Sequence, residues 1–187
     1  MVIWSIARDM HQHCEFCITL SNQSKKLNHS TKMPVFTLQF KAHMENVTNL
    51  QPDEFSSHQW SLKLKCTGCR EVGERWKYIA ADELVEIPHS RGEANYVETC
   101  AFCKKHSTIN VLQDHRPYST SDEFQPMVKF ECRGTEPVEF QATGDWKCAS
   151  TLSDTRFDKI DLSETWADYD EKGAEPVTID EVQTKFS

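Results

Sequence analysis

The sequence predicts a mostly β protein with a four-cysteine metal site, and three observations support this prediction. Several segments alternate between apolar and polar side chains with a period of two, as half-buried strands do. Two Cys-x-x-Cys pairs come directly after such segments. Neither pair is followed by a helical pattern, so we expect the pairs to lie in turns between strands.

Composition favours a soluble protein of the cytoplasm. The chain has 187 residues, a net charge of −8 and a mean hydropathy of −0.62. No apolar run approaches the ~20 residues that a membrane-spanning helix needs, and Arg8-Asp9 interrupts the first apolar segment too early for a secretory signal. We therefore expect no membrane association. In a reducing compartment, cysteines are expected to be metal ligands and core residues rather than disulfides.

Residues 1–32 differ from the rest, because they carry no strand or helix pattern beyond their first few residues. We interpret them as a disordered leader or an over-extended start, with Met33 as a plausible alternative start. The leader also holds a third pair, Cys14 and Cys17, with two histidines close by. The spacing alone would suit a second metal site, but nothing around it indicates a folded frame.

The first cysteine pair follows a predicted hairpin. Alternation over residues 36–44 predicts a strand, and the sequence Asn-Leu-Gln-Pro-Asp at 49–53 is expected to break it. A second alternating run at residues 60–65 leads directly into Cys66. Residues 75–79 are expected to be the returning strand.

The second cysteine pair has the same setting. Residues 94–99 predict an extended segment that ends at Cys100, and residues 109–112 predict a strand that leaves Cys103. Both pairs are thus expected at hairpin tips, as in a zinc ribbon, where a metal can join two sheet ends. The polar residues after Cys103 suggest that this second half of the site is the more exposed one.

Four thiolates arranged as two pairs suit one tetrahedral Zn²⁺ per chain. We expect Gly68 to ease the tight turn of the first pair. The basic residues around the pairs are expected to offset the negative charge of a four-thiolate centre, and His106 could compete as a ligand. The expected ligands are Cys66, Cys69, Cys100 and Cys103, and the basic residues are Lys63, Lys65, Arg70, Lys104 and Lys105.

The C-terminal part repeats the β pattern. Residues 127–132 predict a strand with Cys132 in the core, and residues 177–182 predict a last strand. The spacing of apolar residues from 38 to 51 resembles that from 128 to 141, which suggests a duplicated β unit. The acidic stretch from Asp158 to Glu181 is interpreted as a solvated face, with a recognition surface for a basic partner as the alternative.

Residues 33–186 resemble the eukaryotic CXXC motif containing zinc binding protein family. The resemblance implies a mostly β protein with two related subdomains, which we place at about residues 33–120 and 121–187. It also implies one zinc ion bound by the four cysteines named above, and no established reaction. The blocks that carry the resemblance are residues 38–42, 45–50, 62–66 with Cys69, 76–79, 100–103, 130–140 and 166–172.

We therefore expect a non-enzymatic zinc protein, monomeric, that acts on a protein partner of unknown identity or in metal homeostasis. A thiol-disulfide oxidoreductase is one alternative, although redox pairs usually lie at a helix N-terminus. A zinc-ribbon nucleic-acid binder is the other, and 29 acidic against 21 basic residues disfavour it. The chain also lacks a Gly-x-Ser-x-Gly, a phosphate-binding loop and a His-Glu-x-x-His motif.

Overall fold

The structure, a computed structural model, describes residues 33–187 as a succession of β strands. No α-helix occurs in this part of the chain, and accordingly none is present there that could span a membrane. The leader of the sequence analysis, residues 1–32, lies outside the described residues. The earlier strands are β1 Val35–Glu45, β2 Val47–Pro52, β3 Trp60–Cys66, β4 Lys77–Ile79, β5 Val85–Glu86, β6 Glu93–Ala94, β7 Tyr96–Thr99 and β8 His106–Leu112. The later strands are β9 Gln125–Arg133, β10 Thr135–Gln141, β11 Trp146–Ser150, β12 Arg156–Ile160, β13 Trp166–Asp170 and β14 Glu175–Phe186.

These strands form one large sheet and two smaller ones, all antiparallel. The large sheet has six strands in the order β13-β14-β1-β9-β8-β7. The smaller sheets have the orders β10-β3-β4 and β12-β11-β2, and β5 pairs with β6 as a short ribbon. The prediction of a mostly β protein is thus confirmed.

The strand order is symmetric about the pairing of β1 with β9. We call β1–β8 the first half and β9–β14 the second half. On one side of the centre of the large sheet, β1 is followed by β14 and β13, and on the other β9 is followed by β8 and β7. Each small sheet combines a hairpin from one half with a single strand from the other, so the halves are interleaved. The boundary near residue 120 stays a prediction.

One left-handed residue in each half lets a strand pass from the large sheet into a small one. Asn46, with φ 59°, separates β1 from β2, and Gly134, with φ 75°, separates β9 from β10. A Cβ at Gly134 would lie 2.7 Å from the carbonyl oxygen of His106. The Asn46 side chain instead donates a hydrogen bond of 2.9 Å to the carbonyl oxygen of Pro176.

The position of Asn46 corrects the predicted break. Residues 49–53 were expected to end the first strand, but β2 runs through most of them and pairs with β11. The chain changes sheets earlier, at Asn46, because Asn accepts a left-handed backbone more readily than most residues. Pro52 is tolerated because it is the last residue of its strand.

The core lies between the large sheet and the two small ones. Each small sheet contributes a buried tryptophan, Trp60 from β3 and Trp146 from β11. Trp146 stacks on Phe40 with ring centroids 5.8 Å apart, and Trp60 meets Phe130 edge-on at 5.9 Å. The two indole rings are perpendicular at 6.4 Å, so the small sheets also pack against each other.

His58 is buried against both tryptophans. Its ring centroid lies 4.7 Å from that of Trp60 and 5.2 Å from that of Trp146, and the residue is 7% exposed. Burial lowers the pKa of His58 to about 4, against a weaker opposing effect of Asp145. The imidazole is therefore neutral in the folded protein at neutral pH.

We predict that His58 makes the protein less stable as the pH falls from 7.5 to 5.5. In this range the unfolded chain protonates a histidine near pH 6.5, whereas folded His58 stays neutral until about pH 4. The free energy of unfolding should fall by about 1.4 kcal/mol from this residue alone. Denaturant titrations of the zinc-loaded protein at the two pH values measure this, and His58→Phe should reduce the change by that amount. An unaltered pH dependence in the variant would contradict the prediction.

Candidate metal centre

The four predicted ligands lie in two turns that come from different sheets. We call residues 66–71 the first cysteine turn and residues 100–105 the second cysteine turn. The first follows β3 in a small sheet, and the second joins β7 to β8 at the edge of the large sheet. Both lie at the ends of strand pairs, where the sequence analysis expected them. The zinc-ribbon likeness stays a prediction.

The backbone of the two turns is the same. The N–H of Cys66 donates to the carbonyl oxygen of Glu71 at 2.9 Å, and its carbonyl oxygen accepts from Arg70 N–H at 2.9 Å. The N–H of Cys100 likewise donates to the carbonyl oxygen of Lys105 at 2.9 Å, and its carbonyl oxygen accepts from Lys104 N–H at 3.0 Å. Each turn thus closes on its first cysteine and points both of its thiols to one side.

A left-handed residue follows the second cysteine of each turn. Arg70 has φ 67° and Lys104 has φ 60°. For residues with a Cβ this conformation costs roughly 1–2 kcal/mol, and nothing in the sequence pattern marked it, because glycine is its usual signal. The turns accept this strain to bring their two thiols together.

The four thiols converge to a distance that fits one metal ion. All four Sγ atoms lie within 4.8 Å of one another. The Sγ atoms of Cys66 and Cys103 are 3.5 Å apart, and those of Cys69 and Cys100 are 3.6 Å apart. A tetrahedral Zn²⁺ with Zn–S bonds of 2.3 Å requires S···S distances of about 3.8 Å. The donor set therefore fits zinc in both chemistry and spacing.

The turn backbone favours the thiolate form that binds metal. The N–H groups of Cys69 and Gly68 lower the pKa of the Cys66 thiol to about 6. The N–H groups of Cys103 and Phe102 lower the pKa of Cys100 in the same way. The N–H of Glu71 lowers the pKa of the Cys69 thiol, but burial and the neighbouring sulfurs outweigh this effect and raise that pKa to about 11. A bound cation would reverse that repulsion.

Gly68 provides space for the opposite turn rather than a left-handed turn conformation. Its φ is not positive, unlike those of Gly134 and Gly144. A Cβ at this position would lie 3.3 Å from the Sγ atom of Cys103 and 2.7 Å from Cδ of Lys105. We expected Gly68 to ease the tight turn of its own pair, but the glycine is needed because the two turns come into close contact there.

Only part of the basic cluster is free to offset the charge of a thiolate centre. Lys63 pairs with Glu139 at 2.8 Å, and Lys65 pairs with Glu136 at 2.8 Å. Both carboxylates belong to β10, so these lysines connect neighbouring strands instead. The side-chain carbons Cδ and Cε of Lys105 lie against Gly68, on the side where the Cys103 Sγ atom is also close.

Exposure differs within each turn and between the turns. As whole residues, the first cysteine of each pair is half-buried, and the second, Cys69 or Cys103, is exposed. As ligand groups, Cys66 is buried, Cys69 and Cys100 are half-buried and Cys103 is exposed, so the second turn is the more open half, as expected. The ring Nδ1 of His106 lies 2.9 Å from Oγ1 of Thr99 instead of joining the thiols.

The two remaining cysteines of the described residues stand apart from this site. Cys132 and Cys148 are buried, and burial raises the pKa of each thiol to about 12. They are core residues, as expected for Cys132. Cys14 and Cys17, the possible second site, lie outside the described residues.

Comparison with known proteins points to one family. The model of the family described as CXXC motif containing zinc binding protein, eukaryotic, matches residues 37–187. A Xenopus laevis protein of that name is 40% identical over 159 residues, covering 83% of this chain and 99% of its own. The human protein of that name is 40% identical over 160 residues, covering 82% and 98%. The solved structure titled Crystal Structure of C1orf123 has a TM-score of 0.77 and 39% identity, covering 82% of this chain and 99% of its own.

We predict that Gly68→Ala weakens zinc binding about tenfold without unfolding the chain. Lys105 can move away from the added methyl group, but the contact with Cys103 Sγ remains tight, and overpacking of this kind costs about 1–3 kcal/mol. Competition with a zinc chelator of known affinity measures the change. Gly73→Ala is the matched control, because a Cβ there would meet Leu64 O at an ordinary 3.5 Å. Equal affinity in the two variants would contradict the prediction.

Proposed function

The chain belongs to the eukaryotic CXXC motif containing zinc binding protein family, and we propose that it is a non-enzymatic cytosolic protein that binds one zinc ion. The proposed ligands are the four cysteines of the two cysteine turns. The convergence of their Sγ atoms within 4.8 Å is the observation that carries the proposal. The family name, which describes zinc binding, supports the same metal.

We propose that the zinc is structural. Two protein ligands from each turn complete a tetrahedron, so no position is left for water or a substrate. The ion would join the end of a small sheet to the edge of the large one, since the turns follow β3 and β7. Structural zinc sites bind with roughly 10–16 kcal/mol in small peptides, which is comparable to the total stability of a domain.

The surface of the second cysteine turn supports a role in protein interaction. Phe102, between the two cysteines of its turn, is 71% exposed. Lys104 and Lys105 come after Cys103, and both lie in exposed positions. An exposed apolar ring in a turn that also carries two lysines is suited to an acidic partner surface with an apolar centre. Partner binding or metal homeostasis would then use a surface shaped by the zinc site.

The thiol oxidoreductase alternative makes a different demand on the same residues. A redox pair needs a free dithiol with an activated thiolate, and the lowered pKa of Cys66 would suit one. Thiol titration of the native metal-bound protein separates the alternatives. Four protected thiols favour the structural zinc site, and a reactive pair that cycles with a disulfide substrate would favour the enzyme.

We predict that Cys100→Ser produces an aggregated or zinc-free chain in which the two cysteine turns lose their structure. Three thiolates and a hydroxyl leave the tetrahedron incomplete, and the two sheets lose their connection. Metal analysis and circular dichroism of the purified variant measure this. Cys148→Ala is the control, because it removes a buried thiol away from the site and should keep one zinc per chain. One equivalent of zinc per chain and a native circular dichroism spectrum in Cys100→Ser would contradict the ligand assignment.

We also predict slow zinc release, because a closed four-thiolate shell has no free coordination position. With a chromogenic chelator at neutral pH, transfer should take hours rather than minutes and should be accompanied by loss of structure in the two cysteine turns. Complete transfer within minutes with both cysteine turns still structured would favour metal trafficking over a structural role.

A further inference from the structure

The second half of the fold contains a pair of turns at the positions that correspond to the cysteine turns. We call residues 150–155, between β11 and β12, the first serine turn, and residues 170–175, between β13 and β14, the aspartate turn. In the symmetric strand order, β11 and β12 take the places of β3 and β4, and β13 and β14 take those of β7 and β8.

The first serine turn reproduces two hydrogen bonds of the first cysteine turn. Ser150 N–H donates to the carbonyl oxygen of Thr155 at 2.9 Å, as Cys66 does to the residue five positions on. The N–H of Leu152 donates to Oγ of Ser150 at 3.0 Å, and that of Gly68 donates to Sγ of Cys66 at 3.4 Å.

Both turns are also attached to the core in the same way. The N–H of Thr67 donates to the carbonyl oxygen of Gly134 at 3.1 Å, and the N–H of Thr151 donates to that of Asn46 at 3.0 Å. Gly134 and Asn46 are the two left-handed residues at which strands change sheets. The turns are thus held at equivalent places by equivalent contacts.

The aspartate turn corresponds to the second cysteine turn. Asp170 pairs with Glu175 across the turn, five positions on, as Cys100 bonds with Lys105. The residue four positions after Asp170 is Ala174, with φ 56°, and the residue four after Cys100 has φ 60°. Taken together, the ligand positions Cys66, Cys69, Cys100 and Cys103 correspond to Ser150, Ser153, Asp170 and Gly173.

At these positions a buried carboxylate occupies the middle of the turn pair. Asp170 is fully buried. Its Oδ2 accepts from the hydroxyls of Ser150 and Ser153, each at 2.6 Å. Its Oδ1 accepts from Oγ1 of Thr155 at 2.9 Å and from the backbone N–H groups of Lys172 and Gly173, each at 3.1 Å.

All of these partners are donors, so the carboxylate is satisfied in its ionised form. The hydroxyls of Ser150 and Ser153, ahead of the other donors, hold the pKa of Asp170 far below its usual range. Three of the donors belong to the first serine turn and two to the aspartate turn. The carboxylate therefore connects the two turns, as a metal would connect the cysteine turns.

The positions of the small and the larger residue at the contact between the turns are also exchanged. In the cysteine pair, Gly68 leaves room for the Cys103 side chain. In the second pair, Leu152 takes the place of Gly68, and Gly173 takes the place of Cys103. A Cβ at Gly173 would lie 2.8 Å from Cβ of Leu152 and 2.7 Å from Oδ2 of Asp170. The small residue is therefore in the first turn of the cysteine pair but in the aspartate turn of the second pair.

We propose that the first serine turn and the aspartate turn are a second, metal-free copy of the zinc-binding turn pair, in which hydrogen bonds to the Asp170 carboxylate do the structural work of the metal. The comparison rests on the proposed function for the role of zinc in the cysteine pair. The role of Asp170 itself is independent of any metal.

Amide hydrogen exchange tests the proposal on the full-length protein. Removal of zinc with a chelator should speed exchange in the two cysteine turns about tenfold or more. Exchange in the first serine turn and the aspartate turn should stay within about twofold of its rate in the zinc-loaded protein. In Asp170→Asn the amide group presents a donor to the surrounding donors. This variant should speed exchange in the first serine turn and the aspartate turn and leave the two cysteine turns within about twofold. Ser153→Ala removes a single donor and should give a smaller change in the same direction if Asp170→Asn does not fold.

The outcomes of the exchange experiment separate the two claims. If Asp170→Asn and Ser153→Ala leave protection of residues 150–155 unchanged, the carboxylate does not hold the turns, and the inference is overturned. Equal loosening of both turn pairs by the chelator would overturn it as well, because the second pair would then depend on the metal. If the chelator has no effect anywhere but Ser153→Ala loosens residues 150–155, the proposed zinc function fails and the role of Asp170 stands.

A graft gives a second test of the correspondence. A variant with Ser150→Cys, Leu152→Gly, Ser153→Cys, Asp170→Cys and Gly173→Cys, produced with zinc, should bind two zinc ions per chain. The control carries only the three changes in the first serine turn. It should bind one zinc ion, because two cysteines cannot close a four-ligand site. A folded graft with one zinc, or a control with two, would contradict the correspondence. The exchange experiment decides the proposal if the graft does not fold.

Discussion

The fold depends on two single-residue changes of backbone handedness, at Asn46 and Gly134. Each lets a continuous segment pair first in the large sheet and then in a small sheet that belongs to the opposite half. The same two residues offer the carbonyl oxygens to which Thr67 and Thr151 bind. The positions of both turn pairs therefore follow from where the strands change sheets. Only glycine fits at position 134, because a Cβ there would lie 2.7 Å from the carbonyl oxygen of His106.

The alternating strands were predictable because each buries one face, and a period of two records that directly. The runs at residues 36–44, 60–65 and 127–132 correspond to β1, β3 and β9. The sheet change at Asn46 was not predicted, because a left-handed asparagine looks like any polar residue between strands. Proline at position 52 gave a stronger but misleading signal, since a proline at the last position of a strand does not interrupt it.

The candidate zinc site was predictable because two cysteine pairs at two-residue spacing are a typical ligand pattern of four-cysteine zinc sites. The second turn pair gave no such signal, because serine, threonine and aspartate are common in any turn. Asp170 also lies in a stretch interpreted as a solvated acidic face. Most acidic residues of this stretch are exposed, in agreement with that interpretation, but Asp170 is fully buried. Only the position of the turn in three dimensions distinguishes this carboxylate from its neighbours.

If the two turn pairs have these roles, the halves of the protein differ in what can loosen them. A carboxylate with a strongly lowered pKa and five donors stays ionised through the physiological range, and neither chelators nor oxidants act on it. Thiolates around zinc lose the metal when they are oxidised or when a stronger ligand competes. One end of a nearly symmetric fold would therefore respond to zinc supply and redox conditions while the other stays fixed. Because Phe102 lies within the responsive turns, a partner that binds there would sense whether zinc is bound.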